Sequence, residues 1–323
     1  MTSGRDGIFV GDGSDTFGRI STADVTGARY GIKADDAYFL TIDTTAGTIT
    51  GGADGISVSA SDGAYIKITT ADVVASGSGV PEGANDNTIV IETIREGNSP
   101  DLSDGPTGGT GIRLTGSAPD AVIEVAGRVT GDVGIDTAGF SGDVDIRTAG
   151  LIEGRSYTAL DLGDGQQNLA IFDELTGVSS PGQQGIIGDS YFGGGDDTLS
   201  FVDTVGGGNI LYDGMFTDLF DGGSETDTAL FSVAIEDLKS LEGEGSFLQL
   251  FFQGEADERA ILSLVNFELF GFADDPEVTY TVDELRSIVA PVPVPTGVLL
   301  LGSALGAMGF ARLNRRRMRH PAG

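Results

Sequence analysis

The feature that most constrains this chain is a glycine followed by an aliphatic residue, which returns at a fixed interval. The first four copies are Gly7-Ile8, Gly31-Ile32, Gly55-Ile56 and Gly79-Val80. Neighbouring copies are 24 residues apart (31 minus 7, and so on). After a longer interval the pair returns at Gly111-Ile112, Gly134-Ile135, Ala159-Leu160 and Gly185-Ile186. The longer interval predicts an inserted loop, which we place at 98–110 because that stretch is rich in Pro, Gly and Ser.

Each repeat also contains a short stretch in which every second residue is apolar. An Asp or Asn precedes it, as Asp62 precedes Ile66 and Ile68, and as Asp120 precedes Ile123. Alternation at period two indicates a strand with one buried face. A second signature, Ala-Gly-x-(Ile/Val)-x-Gly, recurs at 46–51, 126–131 and 149–154. It adds a further strand and a glycine corner, so two or three strands per repeat are expected.

A unit this short cannot bury its apolar face alone, whereas stacked units give every backbone amide a partner in the next turn. The chain is therefore predicted to be all-β, a right-handed parallel β-helix (β-solenoid) of about nine turns, with the repeats of about 24 residues over 1–209. Residues 210–289 are expected to form the last turns and a β cap. The cap strands are predicted at 231–239, 246–253 and 260–272. A short helix should follow, with Thr281 as N-cap and Glu284 completing a capping box.

The composition of the chain argues against several classes of function. The net charge of -31 would repel nucleic acid and anionic lipid, so neither is an expected partner of the body. The chain has no Cys, its one His is His320, and no G-x-S-x-G, HExxH or P-loop motif occurs, so no enzyme is predicted. The runner-up is a carbohydrate-active β-helix enzyme, which would cluster acids and arginines in one groove. Trp, the usual platform for sugar stacking, is absent, although Tyr30, Tyr38 and Tyr65 could partly substitute.

Three glycine-rich segments, 11–17, 193–199 and 222–227, place an Asp after glycines and before a strand. They resemble the calcium-binding RTX nonapeptide, in which glycine corners expose carbonyls beside an Asp carboxylate. The resemblance implies calcium as the one conceivable cofactor, with these ligand candidates: Asp12, Asp15, Asp196, Asp197 and Asp227. The copies are scattered, and Gln167 stands where a further Asp belongs. The alternative is an Asx corner before a strand, with no metal.

The tail, residues 290–323, has three parts: a proline hinge, an apolar run over 297–311, and a cluster of arginines. The flanking arginines are Arg312, Arg315, Arg316 and Arg317. This order predicts a transmembrane helix whose arginines stay on the cytoplasmic side while the body lies outside. The run is short for a full span, which takes about 20 residues, and neighbouring residues would have to extend it.

The proline hinge contains the motif Val292, Pro293, Val294, Pro295 and Thr296. With the apolar run and the arginines, it resembles the VPLPA-CTERM variant of the PEP-CTERM bacterial sorting signals, departing from it at Val294 and Thr296. The resemblance covers the tail alone. It implies a Gram-negative cell envelope, anchorage in the inner membrane and cleavage by an exosortase-type membrane transpeptidase. It also associates such proteins with extracellular polysaccharide.

These observations predict an exported cell-surface or extracellular-matrix protein with a structural or adhesive role. The repeats resemble autotransporter passengers, although no translocating barrel follows them. An export signal is expected for such a protein, yet the stretch at 1–15 has neither a basic n-region nor an apolar h-region. We therefore expect no signal peptide in this sequence.

Overall fold

The computed structural model describes residues 2–3, 6–11, 16–52, 54–75, 109–173, 184–203, 209–254 and 258–289. Within these ranges the strands are β1 (Thr2–Ser3), β2 (Asp6–Val10), β3 (Thr16–Ser21), β4 (Val25–Gly27), β5 (Tyr30–Gly51), β6 (Asp54–Ala75), β7 (Thr110–Gly116), β8 (Asp120–Val125), β9 (Arg128–Phe140), β10 (Asp143–Thr148), β11 (Leu151–Asp161), β12 (Gln167–Phe172), β13 (Gly185–Tyr191), β14 (Thr198–Val202), β15 (Met215–Thr217), β16 (Leu219–Asp221), β17 (Thr228–Phe231), β18 (Leu238–Glu242), β19 (Phe247–Gln253), β20 (Arg259–Val265), β21 (Leu269–Phe272) and β22 (Thr279–Thr281). The helices are α1 (Ile210–Asp213), α2 (Val282–Val289) and a 3-10 turn at Ile235–Asp237.

Successive turns stack in parallel, and the described chain is an all-β solenoid of about six turns. Inward-facing aliphatic side chains lie directly over one another from turn to turn. One such column contains Ile42, Ile68, Ile123, Ile146, Leu169 and Leu199. All six are at most 1% exposed, so the interior of the rod is a continuous apolar core. The period-two pattern of the sequence produces this column because alternate residues of a strand face the same side.

The predicted count of about nine turns was wrong. β6 pairs directly with β8 and β9, since Lys67 lies beside Val122 and Val73 beside Val129. No further turn is therefore stacked between them. The unit predicted at Gly79-Val80 lies outside the described ranges. The loop predicted at 98–110 also lies outside the described ranges, except for its last two residues. Residues 76–108 lie outside the described ranges.

The predicted register was also wrong at Gly185-Ile186. The repeat pattern places this pair over Ala159-Leu160, but Ile186 pairs with Ile152, and Leu160 pairs with Ser190. From here on the turns lengthen: partners are 30 residues apart at Gln167 and Asp197, and 41 apart (270 minus 229) at Ala229 and Phe270. A fixed repeat length could not predict a register that hydrogen bonding between turns decides.

The last turns give way to antiparallel pairing. β18, β19 and β20 form an antiparallel sheet, and β20 continues the parallel stack by pairing with β16. The strand predicted at 246–253 is confirmed as β19. The one predicted at 231–239 is wrong, because a 3-10 turn occupies Ile235–Asp237 and the strand β18 begins only at Leu238. The stretch 260–272 divides into two strands around Asn266, whose φ of 56° lies in the left-handed region and breaks the extended run.

Helix α2 closes the described chain against the cap. Its N-terminus carries the predicted capping box: the Thr281 backbone N–H donates to Glu284 Oε2 at 2.8 Å, and the Glu284 N–H donates to Thr281 Oγ1 at 3.4 Å. Leu285 is fully buried and anchors the helix. Neither this helix nor any other within the described ranges is both long and apolar enough to cross a membrane. The predicted transmembrane helix at 297–311 lies outside those ranges.

Candidate functional site

An exposed row of aromatic side chains runs across the first described turns. Phe17 pairs with Phe39, and Phe39 pairs with Tyr65, on the parallel strands β3, β5 and β6. The residues that follow in β5 and β6, Leu40 and Ile66, are buried, so the rings stand on the outer face. The exposed fractions of the three side chains are 64%, 52% and 40%. We call Phe17, Phe39 and Tyr65 the aromatic row.

The rings of the row form one continuous apolar patch. The ring centroids of Phe17 and Phe39 are 6.4 Å apart with planes inclined by 11°, and those of Phe39 and Tyr65 are 6.2 Å apart. Tyr38 joins the patch at 5.3 Å from Phe17 and 5.4 Å from Phe39. Such offset and edge contacts are the arrangements that aromatic rings prefer. The patch is therefore ordered by its own contacts.

A polar row lies beside the aromatic one, two residues further along the same strands. It consists of Arg19, Thr41 and Lys67, which are in register across the three turns. Two residues of a strand span roughly 7 Å, so the two rows run parallel on one face. Arg19 Nη2 donates to Asp43 Oδ2 at 2.7 Å, yet the arginine side chain is still 65% exposed. An apolar strip thus borders a strip of hydrogen-bonding groups.

A second feature is buried. One interior column is aliphatic in the early turns, as far as Val144. Gln167 pairs with Val144 on the next turn, and from Gln167 onward the column is polar. The Gln167 N–H donates to Asp197 Oδ1 at 2.7 Å, and the Asp197 N–H donates to Asp227 Oδ1 at 2.9 Å. The Asp227 N–H in turn donates to Glu268 Oε2 at 2.9 Å. We call Gln167, Asp197 and Asp227 the polar ladder, and each is at most 1% exposed.

One side-chain oxygen of each rung of the ladder lacks a hydrogen-bond partner among the described residues. Gln167 Oε1, Asp197 Oδ2 and Asp227 Oδ2 are buried and accept no hydrogen bond from the described residues. Burial, with a further contribution from the Asp227 charge, raises the pKa of Asp197 to about 8. Burial, with the charge of Glu268, raises the pKa of Asp227 to about 6. Buried carboxylates without a counter-charge are costly, so the ladder favours either protons or a cation.

The donor set of the ladder suits calcium, which binds carboxylate and amide oxygens. Asp197 and Asp227 would hold such an ion from adjacent rungs, with the amide oxygen of Gln167 nearest along the column. The ladder offers only two carboxylates, and among the described residues no group of three or more His, Cys, Asp or Glu is arranged around a common point. The third predicted ligand in this region, Asp196, is exposed and instead accepts a hydrogen bond from the Thr226 N–H at 3.1 Å.

A third feature is a column of acidic side chains on another outer face of the rod. Arg113, Asp136, Asp161, Tyr191 and Asp221 follow one another in register over successive turns. Arg113 Nε lies 2.8 Å from Asp136 Oδ2. Burial, together with the charge of Asp136, raises the pKa of Asp161. This column brings together acids and an arginine, which is the arrangement expected for the runner-up enzyme.

The remaining predicted site residues lie outside the described ranges. These are the calcium candidates Asp12 and Asp15, the sorting motif Val292, Pro293, Val294, Pro295 and Thr296, and the flanking Arg312, Arg315, Arg316 and Arg317. Their roles stay predictions.

Sequence reasoning missed two of the three residues of the aromatic row, Phe17 and Phe39. It singled out Tyr65 and Tyr38, but also Tyr30, which is buried with the Arg29 guanidinium 4.5 Å from its ring centroid. A usable signal was present, because the row residues begin the segments FGRI, FLTI and YIKI at the same strand position. Phe17 and Phe39 could have been found by aligning the strands rather than by searching for tyrosines.

Comparison of the chain with protein-family models, with curated proteins and with solved structures finds no match. The class defined by the described residues is therefore a parallel β-solenoid with an antiparallel C-terminal cap, an exposed aromatic row and a buried polar ladder.

Proposed function

We propose that this chain is a structural or adhesive protein of the cell surface or extracellular matrix, exported and then processed at its C-terminal tail. The observation that supports this is the position of α2. The helix ends the cap at Val289, and the proline motif begins only three residues later, at Val292. A cut at the motif would therefore leave the whole described body intact, since none of its strands or helices lies beyond the cut.

In this proposal the tail acts as a temporary anchor. The apolar run at 297–311 spans the inner membrane, and the arginines from Arg312 onward hold its end in the cytoplasm. An exosortase-type transpeptidase recognises the proline motif and removes the anchor. The body needs no disulfide, because the chain has no Cys and its core is a continuous aliphatic column. Packing and hydrogen bonds between turns would keep it folded outside the cell.

The test is the C-terminus of the mature protein. The full chain, supplied with an export signal, is expressed in a Gram-negative host with and without an exosortase-type transpeptidase. Mass spectrometry should find a C-terminus near residues 292–296 only when the enzyme is present. Replacing both Pro293 and Pro295 by Ala should block the cut, while Pro276→Ala, in a cap turn, should not. An intact Gly323 in both the unchanged chain and Pro276→Ala, with the enzyme present, would refute the proposal.

A calcium-stabilised module is the second candidate, and the partnerless oxygens of the polar ladder favour it. A ligand that binds only the folded state raises its stability, so calcium should raise the melting temperature of the full chain relative to chelator. Asp227→Asn should remove most of that rise, whereas the exposed Asp196→Asn should keep it. A melting temperature that is the same with calcium and with chelator would rule this candidate out.

One observation favours the runner-up, a carbohydrate-active enzyme: the column of acidic side chains that contains Asp136, Asp161 and Asp221. If Asp161 is a general acid, the full chain should release reducing ends from a polysaccharide, and Asp161→Asn should abolish the release. If the chain releases none from neutral or acidic polysaccharides, the column is only a solvated acidic face.

A further inference from the structure

The aromatic row is not required by the fold. At the same register position the next turns carry Asp120, which pairs with Tyr65, and then Asp143, which pairs with Asp120. Both aspartates are exposed and support the same parallel pairing. Three aromatic rings at the equivalent places keep 40% to 64% of each side chain in water, although the solenoid accepts an aspartate there. A binding partner therefore explains the exposed rings of the row better than packing within the solenoid does.

The charge around the row restricts that partner. Asp36 and Asp62, close in sequence to the row on strands β5 and β6, are exposed, and the chain as a whole carries -31. The two cations of the polar row are already paired, Arg19 with Asp43 and Lys67 with Glu124. An anionic polymer or a second copy of this acidic chain would meet repulsion here. A neutral partner would not.

The two rows together match the chemistry of a sugar chain. Each pyranose ring has an apolar face of C–H bonds, which packs on aromatic rings, and a rim of hydroxyls, which need hydrogen-bonding partners. The aromatic row offers one ring per turn, spaced by the strand separation of about 4.8 Å in the direction of the rod axis. The polar row runs beside it with Arg19, Thr41 and Lys67. A polymer laid along the axis would contact both strips on every turn.

We propose that the aromatic row and the polar row form a binding site for a neutral polysaccharide laid along the rod axis. The site deepens the adhesive role proposed above and rests on it for its biological meaning, but the binding itself does not depend on cleavage of the tail. Phe39 is the central ring, in contact with Phe17, Tyr38 and Tyr65, and should matter most.

The experiment is affinity electrophoresis of the full chain in gels that contain laminarin, hydroxyethylcellulose or alginate. At least one of the two neutral polymers should retard the protein, and the anionic alginate should not. Phe39→Thr, which keeps β propensity, should weaken the retardation at least about tenfold, the size of effect that loss of one stacked ring has at single-stranded nucleic-acid sites. Phe247→Thr is the matched control, because Phe247 is 41% exposed on cap strand β19, close to the 40% of Tyr65.

Three results would overturn the site: no retardation by either neutral polymer, equal retardation of Phe39→Thr and the unchanged protein, or equal loss in the Phe247→Thr control. A dimer that Phe39→Thr converts to monomer in sedimentation would also overturn it, because the row would then be a contact between copies. Circular dichroism of each variant checks that the β structure is kept. A chain that is cleaved at its tail but not retarded refutes the site alone, and a retarded chain with an uncleaved tail refutes the processing alone.

Discussion

Replacement of Gly150 by Ala should separate two turns of the solenoid. Gly150 belongs to the Ala-Gly corner signature, and a Cβ added there would lie 1.5 Å from the carbonyl oxygen of Gly127 on the preceding turn. Reaching a 3.0 Å contact requires a movement of 3.0 minus 1.5, or 1.5 Å. The Leu151 N–H donates to that same carbonyl at 2.9 Å, so the movement breaks this bond. Losing it and leaving partly buried groups unpaired should cost about 2–4 kcal/mol.

The measurement is urea unfolding of the full chain followed by circular dichroism, with the midpoint as the readout. Gly18→Ala is the control, because Gly18 is exposed and a Cβ there meets nothing within 4 Å. The control should stay within about 0.5 kcal/mol of the unchanged protein. Equal midpoints for Gly150→Ala and Gly18→Ala would refute the close approach of the turns at this corner.

Three further predictions concern the core and its charges. Ile123→Ala, in the central aliphatic column, should lower the free energy of unfolding by about 2–5 kcal/mol in the same urea assay. Burial acts to raise the pKa of Glu124, but hydrogen bonds and charge from Lys67 hold it below its usual value, so its stabilisation is present above the unfolded pKa and lost in acid. Glu124→Gln should therefore be less stable by about 0.5–1 kcal/mol at pH 7 and equal to the unchanged protein near about pH 3; a difference that persists in acid would contradict this. The pH dependence of stability from Asp197 has the opposite sign, because its pKa is raised. Its stabilisation is complete below the unfolded pKa and is lost as pH rises through about 8. In chelator, the melting temperature should fall between pH 5 and pH 9, and Asp197→Asn should flatten that fall; parallel profiles would contradict it.

Some elements follow from local pattern alone. The period-two alternation that includes Ile68 and Ile123 predicts strands, and the structure contains them as β6 and β8. The pattern suffices because alternation of side chains is a property of any extended chain. The capping box of Thr281 and Glu284 is likewise local, since both of its hydrogen bonds span three residues. The stacked class of fold follows from the 24-residue period, because such units bury their faces only against one another.

Other elements depend on partners distant in the sequence. The placement of Ile186 over Ile152 is decided by hydrogen bonds between turns, which no repeat count contains. The cap strand β18 begins later than its apolar pattern suggests, because pairing with β19 selects which residues extend.

The sequence by itself determined that this chain is a stack of short strands with an acidic surface and an aliphatic interior. Those properties reside in single residues and their periodic order. Only the tertiary structure decided which residues share a column. It placed Gln167, Asp197 and Asp227 on one buried ladder, and Phe17, Phe39 and Tyr65 on one exposed row. The physical reason is that register between turns is fixed by backbone hydrogen bonds and corner packing across more than 20 residues, whereas sequence patterns constrain only neighbours.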